Sequence, residues 1–536
     1  MRSPVQARNE RRVLCVFPAY SPSFGTFSHA YRLLGRVRAF MPPQGLLVIA
    51  SYLPERWQVR FIDENIVSAG PSDFAWSDIV FVSGMHIQAP QIRDIQARAK
   101  RAGTITVLGG PSVSGTPESY PEFDYLHIGE IGDATDRLIA CLDESTTAPP
   151  AQMRFETTER LPLYDFPLPA YHLAGADRYF IGSLQFSSGC PYRCEFCDIP
   201  ALYGRQPRLK TPEQVITELD AIVDLPHPLA IYFVDDNFIG NRKAVRALLP
   251  HLVAWQQRHG YPVVFACEAT LNLAKQPDIL ELMREANFHT VFVGIETPDP
   301  VALKAIDKGH NASVPMLDAI RTLNGYGLEV VSGIILGLDT DTAETGASLV
   351  AFVEQSQIPM LTINLLQALP RTPLWDRLRD TNRIVDDPCR ESNVRFIRPY
   401  EEVVEMWRRC IQEVYDPERL FSRFMHQVDA TYPNRIRRPA RGQLTASNLH
   451  QAFRLALNLA VRAGLLSTYR RPFWRAVRYA ISRGQIDAAF GMGLVAYHLI
   501  AFSREAVRGE QNASFYAAKV RNQASPYRRL SRHARS

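Results

Sequence analysis

The sequence has few cysteines and none of the features of an exported protein. The N-terminus, MRSPVQARNERR, is charged and leads directly into a strand-like run, without the apolar stretch and cleavage site of a secretory signal. Eight cysteines occur in 536 residues, and only three of them stand close together, which excludes a disulfide framework. We therefore expect a protein of the reducing cytoplasm.

Long hydrophobic runs are also missing. The longest, roughly residues 488–502, falls short of the ~20 residues that span a bilayer and contains His498. We therefore expect no transmembrane helix. At roughly 100–200 residues per domain, the length predicts about three folding units, each able to bury its own core.

Acidic residues are scarce near the end of the chain. From Thr431 onward, 19 Lys and Arg stand against 3 Asp and Glu, a local charge of +16 in a chain whose net charge is +5. Such an asymmetry is typical of a surface that meets an anionic membrane or nucleic acid. The region contains no recognisable nucleic-acid-binding module, so nucleic acid is the weaker of these two interpretations.

Short apolar runs alternate with helix-like stretches between residues 12 and 145. The runs are VLCVF, QVRFID, DIVFVSG, TITVLGG and YLHIGE, and each ends at a residue typical of loops. Nearly continuous apolar strands are typical of a parallel sheet covered on both faces. We predict a doubly wound, Rossmann-like domain that binds its ligand at the carboxyl edge of the sheet. Residues 146–180, rich in Thr and Pro, are predicted to be a linker.

A second alternating series fills residues 181–380. Its runs are SLQFSSG, LAIYFVDD, VVFACEA, TVFVGIE, VVSGIILG and LTINLLQALP, with polar stretches of helical length between them. Six βα units predict a partial (β/α)6 barrel of the TIM type. Helical periodicity then replaces the strand signals, so residues 381–536 are predicted to form a helical, basic region. The fold class expected for the chain is therefore α/β.

The strongest motif is SSGCPYRCEFCDIP, in which Cys190, Cys194 and Cys197 occupy a single loop after a predicted strand. Three thiolates can bind three of the four irons of a 4Fe-4S cluster, which leaves the fourth iron open to a small molecule. A structural zinc site matches less well, because it needs four ligands and no second Cys or His pair stands at a suitable spacing. Three merely buried thiols are also disfavoured, since the intervening Arg193 and Glu195 are typical of a loop.

With this motif the sequence resembles the radical S-adenosylmethionine superfamily. The resemblance implies that the open iron holds S-adenosylmethionine, and that one electron cleaves it to methionine and a 5′-deoxyadenosyl radical. Such a radical takes hydrogen from an unactivated carbon without acid or base groups. An external electron donor is implied as well, and no motif identifies it.

The resemblance also implies a set of contacts to S-adenosylmethionine. The residues at the matching positions are Phe196 just before the third cysteine, Asp235 and Asp236 at the end of the second barrel strand, Glu296 in VGIETP, and Gly333 and Gly337 in SGIILGLDTDT. Each has an ordinary alternative role, as a packing aromatic, a helix cap, a loop acid or a turn glycine. Thr340, Asp341 and Thr342 stand where many relatives have Gly-Glu-Thr, so the resemblance assigns no role to Asp341.

The first 145 residues resemble the cobalamin-binding domain that precedes many barrels of this superfamily. The residues assigned to cobalamin at the predicted sheet edge are Asp63, Ser83, Gly84, His86, Gly109, Gly110 and Gly129. A dinucleotide site is disfavoured, because PAYSPSF follows the first strand instead of three spaced glycines. The Asp-x-His-x-x-Gly sequence that supplies a histidine to cobalt in many such domains is absent, so we expect cobalt without a protein imidazole. Of His29, His86 and His127, the residue to test first is His86.

The basic region contains one clear amphipathic helix, RRPFWRAVRYAIS. Its apolar face comprises Phe473, Trp474, Val477 and Ile481, and its arginines include Arg471, Arg475 and Arg478. Such a helix either lies on an anionic membrane or packs against the barrel with its arginines in solvent. Periodicity alone favours the packed helix, whereas the regional charge favours peripheral contact with the inner face of the membrane.

Within the superfamily the sequence is similar to the hopanoid C-2 methylases, through blocks such as DIVFVSGMHIQ, YLHIGEIGDA and SSGCPYRC. This similarity implies transfer of a methyl group from methylcobalamin to a lipid or other small molecule, with a pentacyclic triterpenoid as the expected substrate. Its saturated ring carbons have no acidic proton for a general base, so a radical route is needed. Three alternatives stay open. Another cobalamin-dependent radical enzyme, such as a tetrapyrrole cyclase or a methylase of another metabolite, would share both domains, and a non-catalytic cobalamin or light sensor would not need the cysteine loop. A structural iron–sulfur protein or a nucleic-acid-modifying protein is the third alternative.

Overall fold

Two parallel sheets and a set of C-terminal helices make up the computed structural model, which describes residues 10–225, 229–387, 390–436 and 446–510. Cys389 and the part of the basic region after residue 510 lie outside the described residues. The strands are β1 (Arg12–Phe17), β2 (Gln58–Asp63), β3 (Ile79–Ser83), β4 (Ile105–Gly109), β5 (Tyr125–Ile128), β6 (Met153–Glu156), β7 (Gly182–Leu184), β8 (Ser187–Ser188), β9 (Arg208–Leu209), β10 (Ala230–Phe233), β11 (Val264–Ala269), β12 (Phe288–Glu296), β13 (Glu329–Leu336) and β14 (Met360–Leu365). The helices are α1 (Gln44–Tyr52), α2 (Pro71–Trp76), α3 (Ala89–Arg101), α4 (Pro111–Gly115), α5 (Asp133–Glu144), α6 (Ile199–Leu202), α7 (Pro212–Val223), α8 (Arg242–Arg258), α9 (Pro277–Glu285), α10 (Pro300–Ala305), α11 (Met316–Gly325), α12 (Thr345–Ser356), α13 (Pro373–Asp380), α14 (Tyr400–Val414), α15 (Pro417–Ala430), α16 (Ala446–Arg462), α17 (Arg470–Ser482) and α18 (Ile486–Val507).

The first sheet has six parallel strands in the order β2-β1-β3-β4-β5-β6. Leu14, Val80 and Leu108 on its central strands are fully buried, as expected for a sheet that is covered on both faces. The direction of winding reverses between β1 and β3, and in such sheets a crevice opens there at the carboxyl edge. The predicted Rossmann-like fold is confirmed.

The segment predicted to be a linker contributes the edge strand of this sheet. β6 pairs in parallel with β5, with Met153 opposite Tyr125 and Glu156 opposite Ile128. Only Phe155 of its four residues is buried, so the run is too short and too polar to stand out from the Thr and Pro around it. The expectation of a plain linker over residues 146–180 is corrected accordingly.

The second sheet is a partial barrel of six parallel strands in the order β14-β13-β12-β11-β10-β7. Burial alternates along β11, where Phe265, Cys267 and Ala269 face the covering helices and Glu268 faces the lumen. Just beyond β7, the short strands β8 and β9 pair in an antiparallel sense. The predicted six-stranded partial barrel is confirmed.

The C-terminal helices pack on the open side of this barrel and on the first sheet's loops. Trp407 of α14 donates its indole N–H to the carbonyl oxygen of Ile363 on β14 at 2.8 Å. His498 of α18 is fully buried, and its Nε2 lies 3.1 Å from the carbonyl oxygens of both Ser23 and Phe24 in the loop after β1. Burial lowers the pKa of His498 to about 3. The C-terminal helices therefore join both sheets, and the predicted helical region is confirmed.

Helix α18 is longer than the apolar run in the sequence suggests. Among the described helices it is the one that is long and apolar enough to cross a membrane, with 22 residues and a mean hydropathy of 1.4 in its best window. The helix therefore extends beyond the apolar run of residues 488–502 on both sides. However, 56% of that window is buried inside the protein, and its neighbours are α14, α15 and α17, as in the core helix of a packed bundle.

The amphipathic helix predicted in the basic region is α17, and its most apolar side chain points inward. Phe473 is only 2% exposed and packs against Phe421 of α15, whereas Ile481 is 53% exposed. Two of the arginines form ion pairs with α15, because Arg475 contacts Glu418 and Arg483 contacts Asp429. Helix α17 is thus the packed helix that periodicity favours.

Replacing Phe473 by Ala should destabilise the C-terminal helices. Removing a buried aromatic side chain costs about 3–5 kcal/mol through lost burial and the cavity left behind. The matched change Ile481→Ala, on the exposed side of the same helix, should stay within about 0.5 kcal/mol. Urea denaturation followed by circular dichroism measures both, and equal effects would contradict the packing described for α17.

Candidate active site at the facing sheet edges

The three cysteines of the motif lie in one loop between β8 and α6. Gly189 precedes the loop with a φ of +97°, and its N–H donates to Asp236 Oδ2 at 2.7 Å. A Cβ at this position would lie 2.9 Å from the carbonyl oxygen of Gly204, which is closer than real side chains approach. The backbone N–H of Cys190 donates to the same oxygen at 3.2 Å. Only glycine therefore fits at the entrance of the loop.

The middle of the loop is anchored to the barrel by Glu195. Its backbone N–H donates to the carbonyl oxygen of Ile306 at 3.0 Å. Its carboxylate binds the guanidinium of Arg377 on α13 through two hydrogen bonds, of which Nη2 to Oε2 measures 3.0 Å. A bidentate pair of this kind fixes orientation as well as distance, so the loop keeps its shape between Cys194 and Cys197.

The thiols share one environment. Burial raises the pKa of Cys190, Cys194 and Cys197, while the nearby ammonium of Lys308 lowers the pKa of the first two. Among the described residues, no three His, Cys, Asp or Glu side chains lie close enough to hold a single metal ion. A 4Fe-4S cluster makes a different demand, because each thiolate binds its own iron atom, and three half-buried thiols in one loop fit that demand.

Glu296 and Lys308 form a buried ion pair beside the cysteine loop. Lys308 Nζ lies 2.6 Å from Glu296 Oε1, and both side chains are 10% exposed. The ammonium also lies 5.5 Å from the ring centre of Phe196. Gly333 opens space next to this pair, since a Cβ there would lie 3.8 Å from Glu296 Oε2. The structure thus brings Phe196, Glu296 and Gly333 together.

The two aspartates at the end of β10 bind the backbone that leads into the loop. The carboxylate of Asp235 accepts the N–H groups of Phe186 and Ser187, and that of Asp236 accepts the N–H of Gly189. Burial raises the pKa of Asp235 to about 7 and the pKa of Asp236 to about 6. In this structure both carboxylates position the loop, and their contact with S-adenosylmethionine stays a prediction.

Gly337 ends β13 at a turn that Asp341 stabilises. Gly337 has a φ of +91°, and its N–H donates to Asp341 Oδ2 at 2.7 Å. The N–H of Leu338 donates to the same oxygen at 3.2 Å. The role that the sequence left open for Asp341 is therefore to hold this turn. Beside it lies a cavity of about 290 Å³, whose walls include Phe196, Leu338 and Leu366.

The glycines predicted for cobalamin stand at the carboxyl edge of the first sheet. Gly110 has a φ of +90°, and a Cβ there would lie 2.4 Å from Ser83 Oγ, while a Cβ on Gly84 would lie 3.1 Å from Gln88 Oε1. Gly129 has a φ of +101° and donates its N–H to Ser114 Oγ at 2.9 Å. The structure thus brings together the edge residues Ser83, Gly84, Gly109, Gly110 and Gly129, which end or follow β3, β4 and β5.

Asp63 and His86 have different surroundings at this edge. The carboxylate of Asp63 accepts the Tyr179 hydroxyl at 3.0 Å and the Asn65 N–H at 2.8 Å, and burial raises its pKa to about 6. This carboxylate therefore holds the segment that leads into the barrel. Burial lowers the pKa of His86 to about 4, which leaves a neutral imidazole at pH 7. Its ring lies against Gly115, where a Cβ would be 2.6 Å from Nε2.

The other two histidines serve packing. His127 Nε2 lies 2.9 Å from Thr135 Oγ1 in the interior of the first domain, and burial lowers the pKa of this histidine to about 4. His29 Nε2 lies 3.1 Å from Glu505 Oε2 on α18. Both rings are thus bound to protein partners, whereas Nε2 of His86 has none within the described residues, which leaves His86 as the histidine of interest.

The two carboxyl edges face each other and are joined by Glu130. This residue follows β5 of the first sheet, and Arg208 Nη2 on β9 donates to its Oε1 at 2.7 Å. Ser188 Oγ, two residues before Cys190, lies 3.2 Å from the same oxygen. Helix α4 of the first domain also packs against α6, which directly follows the cysteine loop. A ligand held at one edge would therefore meet a ligand held at the other.

Buried polar atoms without a hydrogen-bond partner occur on both sides of this junction. Within the described residues they include Nε2 of His86, Oδ1 of Asn237 and Oγ1 of Thr270, which follow β3, β10 and β11. Buried polar groups in folded proteins are nearly always bonded. Bound small molecules between the edges would supply the partners, so the site fits the predicted cofactors.

Several residues of this site carry no recognisable sequence signal. Lys308, Arg377, Glu130 and Arg208 all stand outside the cysteine motif. Arg208 pairs with Glu130 across 78 residues, and Arg377 pairs with Glu195 across 182 residues. The partners of Arg208 and Arg377 are thus distant in sequence, whereas Lys308 pairs with Glu296 only 12 residues away but in a different element. Lumen-facing Glu268, whose pKa burial raises to about 7, accepts a hydrogen bond from the Tyr232 hydroxyl at 3.2 Å. Only the folded chain shows these pairings.

Comparison with known proteins adds three findings. Residues 184–353 match the Radical SAM superfamily, and residues 372–512 match a domain family of unknown function, DUF4070. A protein of Rhodopseudomonas palustris (strain TIE-1) named hopanoid C-2 methylase is 56% identical over 97% of this chain and 98% of its own. The cobalamin-dependent S-adenosylmethionine radical enzyme OxsB superposes with a TM-score of 0.58 at 14% identity, covering 98% of this chain and 84% of that one. The radical S-adenosylmethionine methyltransferase TsrM of Kitasatospora setae superposes with a TM-score of 0.56 at 15% identity, covering 93% of this chain and 100% of that one.

Replacing Gly189 by Ala should disturb the cysteine loop without unfolding the protein. The new Cβ would push against the Gly204 carbonyl at a backbone conformation that side chains rarely adopt. We expect a several-fold lower iron and sulfide content after anaerobic reconstitution. Gly260→Ala is the control, because Gly260 has a similar φ of +66° and open space around it. Equal iron contents in the two variants would contradict the strict need for glycine at residue 189.

Proposed function

The chain belongs to the hopanoid C-2 methylases, within the radical S-adenosylmethionine superfamily, and from this we propose that it methylates C-2 of a hopanoid. The observation that carries the proposal is 56% identity over 97% of the chain, which takes in both sheets and the C-terminal helices together. The enzyme is a radical S-adenosylmethionine methyltransferase. Its substrate is a small molecule, and the pentacyclic triterpenoid is the specific substrate that we propose.

The cysteine loop is proposed to hold the iron–sulfur cluster. Cys190, Cys194 and Cys197 would each bind one iron, and Glu195 with Arg377 would keep the loop in place. When bound, the cluster with S-adenosylmethionine supplies a radical able to remove hydrogen from an unactivated carbon, and methylcobalamin supplies the methyl group. The chain itself then has to position ligands and exclude water, which are tasks for buried, fixed side chains.

S-adenosylmethionine is proposed to lie between the cysteine loop and the ends of β12 and β13. Phe196 forms one wall of the 290 Å³ cavity, and an aromatic face suits an adenine ring. Glu296, fixed by Lys308, would accept hydrogen bonds from the ligand's hydroxyl or amine groups. Gly333 and Gly337 keep the strand ends free of side chains. Asp235 and Asp236 are proposed to act on this ligand chiefly by positioning the loop.

Cobalamin is proposed to lie at the carboxyl edge of the first sheet, against Ser83, Gly84, Gly109, Gly110 and Gly129. Left-handed glycines and short side chains let a bulky ligand approach the backbone closely. Asp63 is proposed to act indirectly, by holding Tyr179. The junction at Glu130 places this edge opposite the cysteine loop, as transfer between two bound cofactors and one substrate requires.

The loss of one cluster ligand should abolish the activity. In a hopanoid-producing host that lacks its own C-2 methylase, the wild-type protein should produce 2-methylhopanoids and Cys194→Ala should not. Cys141→Ala changes a half-buried cysteine on α5, away from the loop, and should keep the activity. Lipid extracts analysed by mass spectrometry give the answer. Unmethylated hopanoids with the wild-type protein, or methylation by Cys194→Ala, would overturn the proposal.

Cobalt is proposed to have no imidazole ligand from this protein. If so, His86→Ala should leave the electron paramagnetic resonance spectrum of the bound Co(II) form unchanged, because no ring nitrogen of His86 couples to the metal. Gly110→Val, which places a bulky side chain against Ser83, should instead lower cobalamin content. Loss of nitrogen coupling in His86→Ala would show that His86 is an axial ligand.

Two further partners are proposed. One is an external electron donor, because the cluster needs one electron for each molecule of S-adenosylmethionine that is cleaved. Peripheral contact with the membrane is the other, because the proposed substrate is a lipid and the region after Thr431 is strongly basic.

A further inference from the structure

Helix α16 carries a row of exposed apolar side chains. The row, called here the α16 stripe, consists of Leu449, Phe453, Leu457, Val461, Leu465 and Leu466, with exposed fractions of 54%, 67%, 53%, 38%, 66% and 73%. The first five recur every four residues and so form one ridge along the helix and the turn that follows it. Single exposed apolar residues are ordinary on protein surfaces, but a contiguous row of this size marks a contact surface.

The opposite side of the same helix is firmly packed. Leu459 is 4% exposed and Ala463 is fully buried. Asn458 Nδ2 donates to the carbonyl oxygen of Leu33 at 3.0 Å. The helix is therefore docked on the protein through one face, and the α16 stripe points away from the described part of the chain.

Exposed cationic side chains are frequent on α16 and on the helix that follows it. Arg454, Arg462, Arg470, Arg471 and Arg478 are exposed and, within the described residues, form no ion pair. Acidic groups are nearly absent from this part of the sequence, which has only 3 Asp and Glu after Thr431. Arg475 of α17 and Arg483, which directly follows this helix, do have acidic partners, and both of these partners lie on α15.

An aromatic side chain stands at the end of the stripe. Trp474 is 38% exposed and donates its indole N–H to the carbonyl oxygen of Gly464 at 2.9 Å. Its ring lies against Gly464, where a Cβ would be 2.7 Å away. The ring is thus fixed next to Leu465 and Leu466. A tryptophan beside apolar and cationic side chains is typical of surfaces at a membrane interface.

We propose that the α16 stripe and its arginines form the docking surface of this enzyme on an anionic lipid bilayer. The apolar side chains would enter the boundary between headgroups and acyl chains, while the arginines would bind lipid phosphates. A bilayer explains both features at once, because it offers apolar depth and negative charge on the same flat surface. The inference deepens the proposed function, on which it rests, by assigning the apolar part of the membrane contact to the α16 stripe, while α17 contributes arginines and Trp474.

Docking through this surface is peripheral. Helix α18, the described helix long enough to span a bilayer, is packed in the interior next to α16, and its His498 is bonded to the loop after β1. Crossing the membrane would break these contacts. The α16 stripe requires no such rearrangement, since its side chains already face outward.

Vesicle flotation of the full-length protein tests the proposal without any substrate. Wild-type protein should float with phosphatidylcholine vesicles that contain phosphatidylglycerol, and added salt should weaken the binding. The double variant Phe453→Ser/Leu466→Ser should lower the partition coefficient at least about tenfold, because it removes two of the most exposed apolar groups. Arg470→Gln/Arg471→Gln should reduce chiefly the salt-sensitive part. The matched control Val301→Ser/Ile397→Ser changes side chains that are 65% and 67% exposed elsewhere and should float like the wild type.

Three results would overturn the inference. They are wild-type protein that stays at the bottom of the gradient, a stripe variant that floats normally, and a wild-type dimer that the stripe variant dissociates in sedimentation experiments. The last would make the stripe an interface between two copies. Methylation of a detergent-solubilised hopanoid separates this inference from the proposed function. The stripe variant should keep that activity. If the wild-type protein floated normally but did not methylate the solubilised hopanoid, the proposed function would be rejected and the docking surface would not.

Discussion

The contact of Glu130 with Arg208 and Ser188 is the constraint on which the arrangement of the site depends. It joins the carboxyl edge of the first sheet to β8 and β9, the strands before and after the cysteine loop. Partly buried ion pairs of this kind add little to stability on balance, but they fix geometry because a wrong arrangement leaves a charge without a partner. Here the geometry that they fix is the distance between the carboxyl edges of the two sheets, where the cofactors are proposed to bind.

A second level of organisation holds the loop itself. Asp235 and Asp236 bind its first backbone groups, Glu195 binds its centre through Arg377, and Lys308 pairs with Glu296 on the barrel side. The carboxylates among these groups are buried or nearly so, and all the charges are tied to one another or to backbone N–H groups. The site is therefore rigid before any ligand binds, which suits chemistry that depends on placing a reactive carbon between two cofactors.

The sequence predicts the fold and the cysteine loop at the centre of the site. It does not predict ion pairs between residues that are far apart along the chain. Strand periodicity identifies both sheets, and the spacing of Cys190, Cys194 and Cys197 identifies the loop. Strand β6 is not predicted, because its four residues are mostly exposed and too few to show an alternating pattern. Glu130 and Arg377 are not predicted because each acts through a partner far along the chain, and Lys308 is not predicted because it belongs to no recognisable motif. The sequence does not show whether the apolar face of α17 packs on the protein or contacts a membrane, because its periodicity does not identify α15 as its partner. The exposed stripe of α16 can be recognised only from the structure, which shows that the opposite face of this helix is packed.

The most direct test of the account follows the hydrogen atoms at C-2 of the substrate. A hopanoid carrying deuterium at both C-2 positions would be incubated anaerobically with the reduced holoenzyme, S-adenosylmethionine and methylcobalamin. The account predicts one deuterium in the 5′-deoxyadenosine formed and one fewer in the methylated hopanoid. A methylated product that forms beside deuterium-free 5′-deoxyadenosine would contradict it.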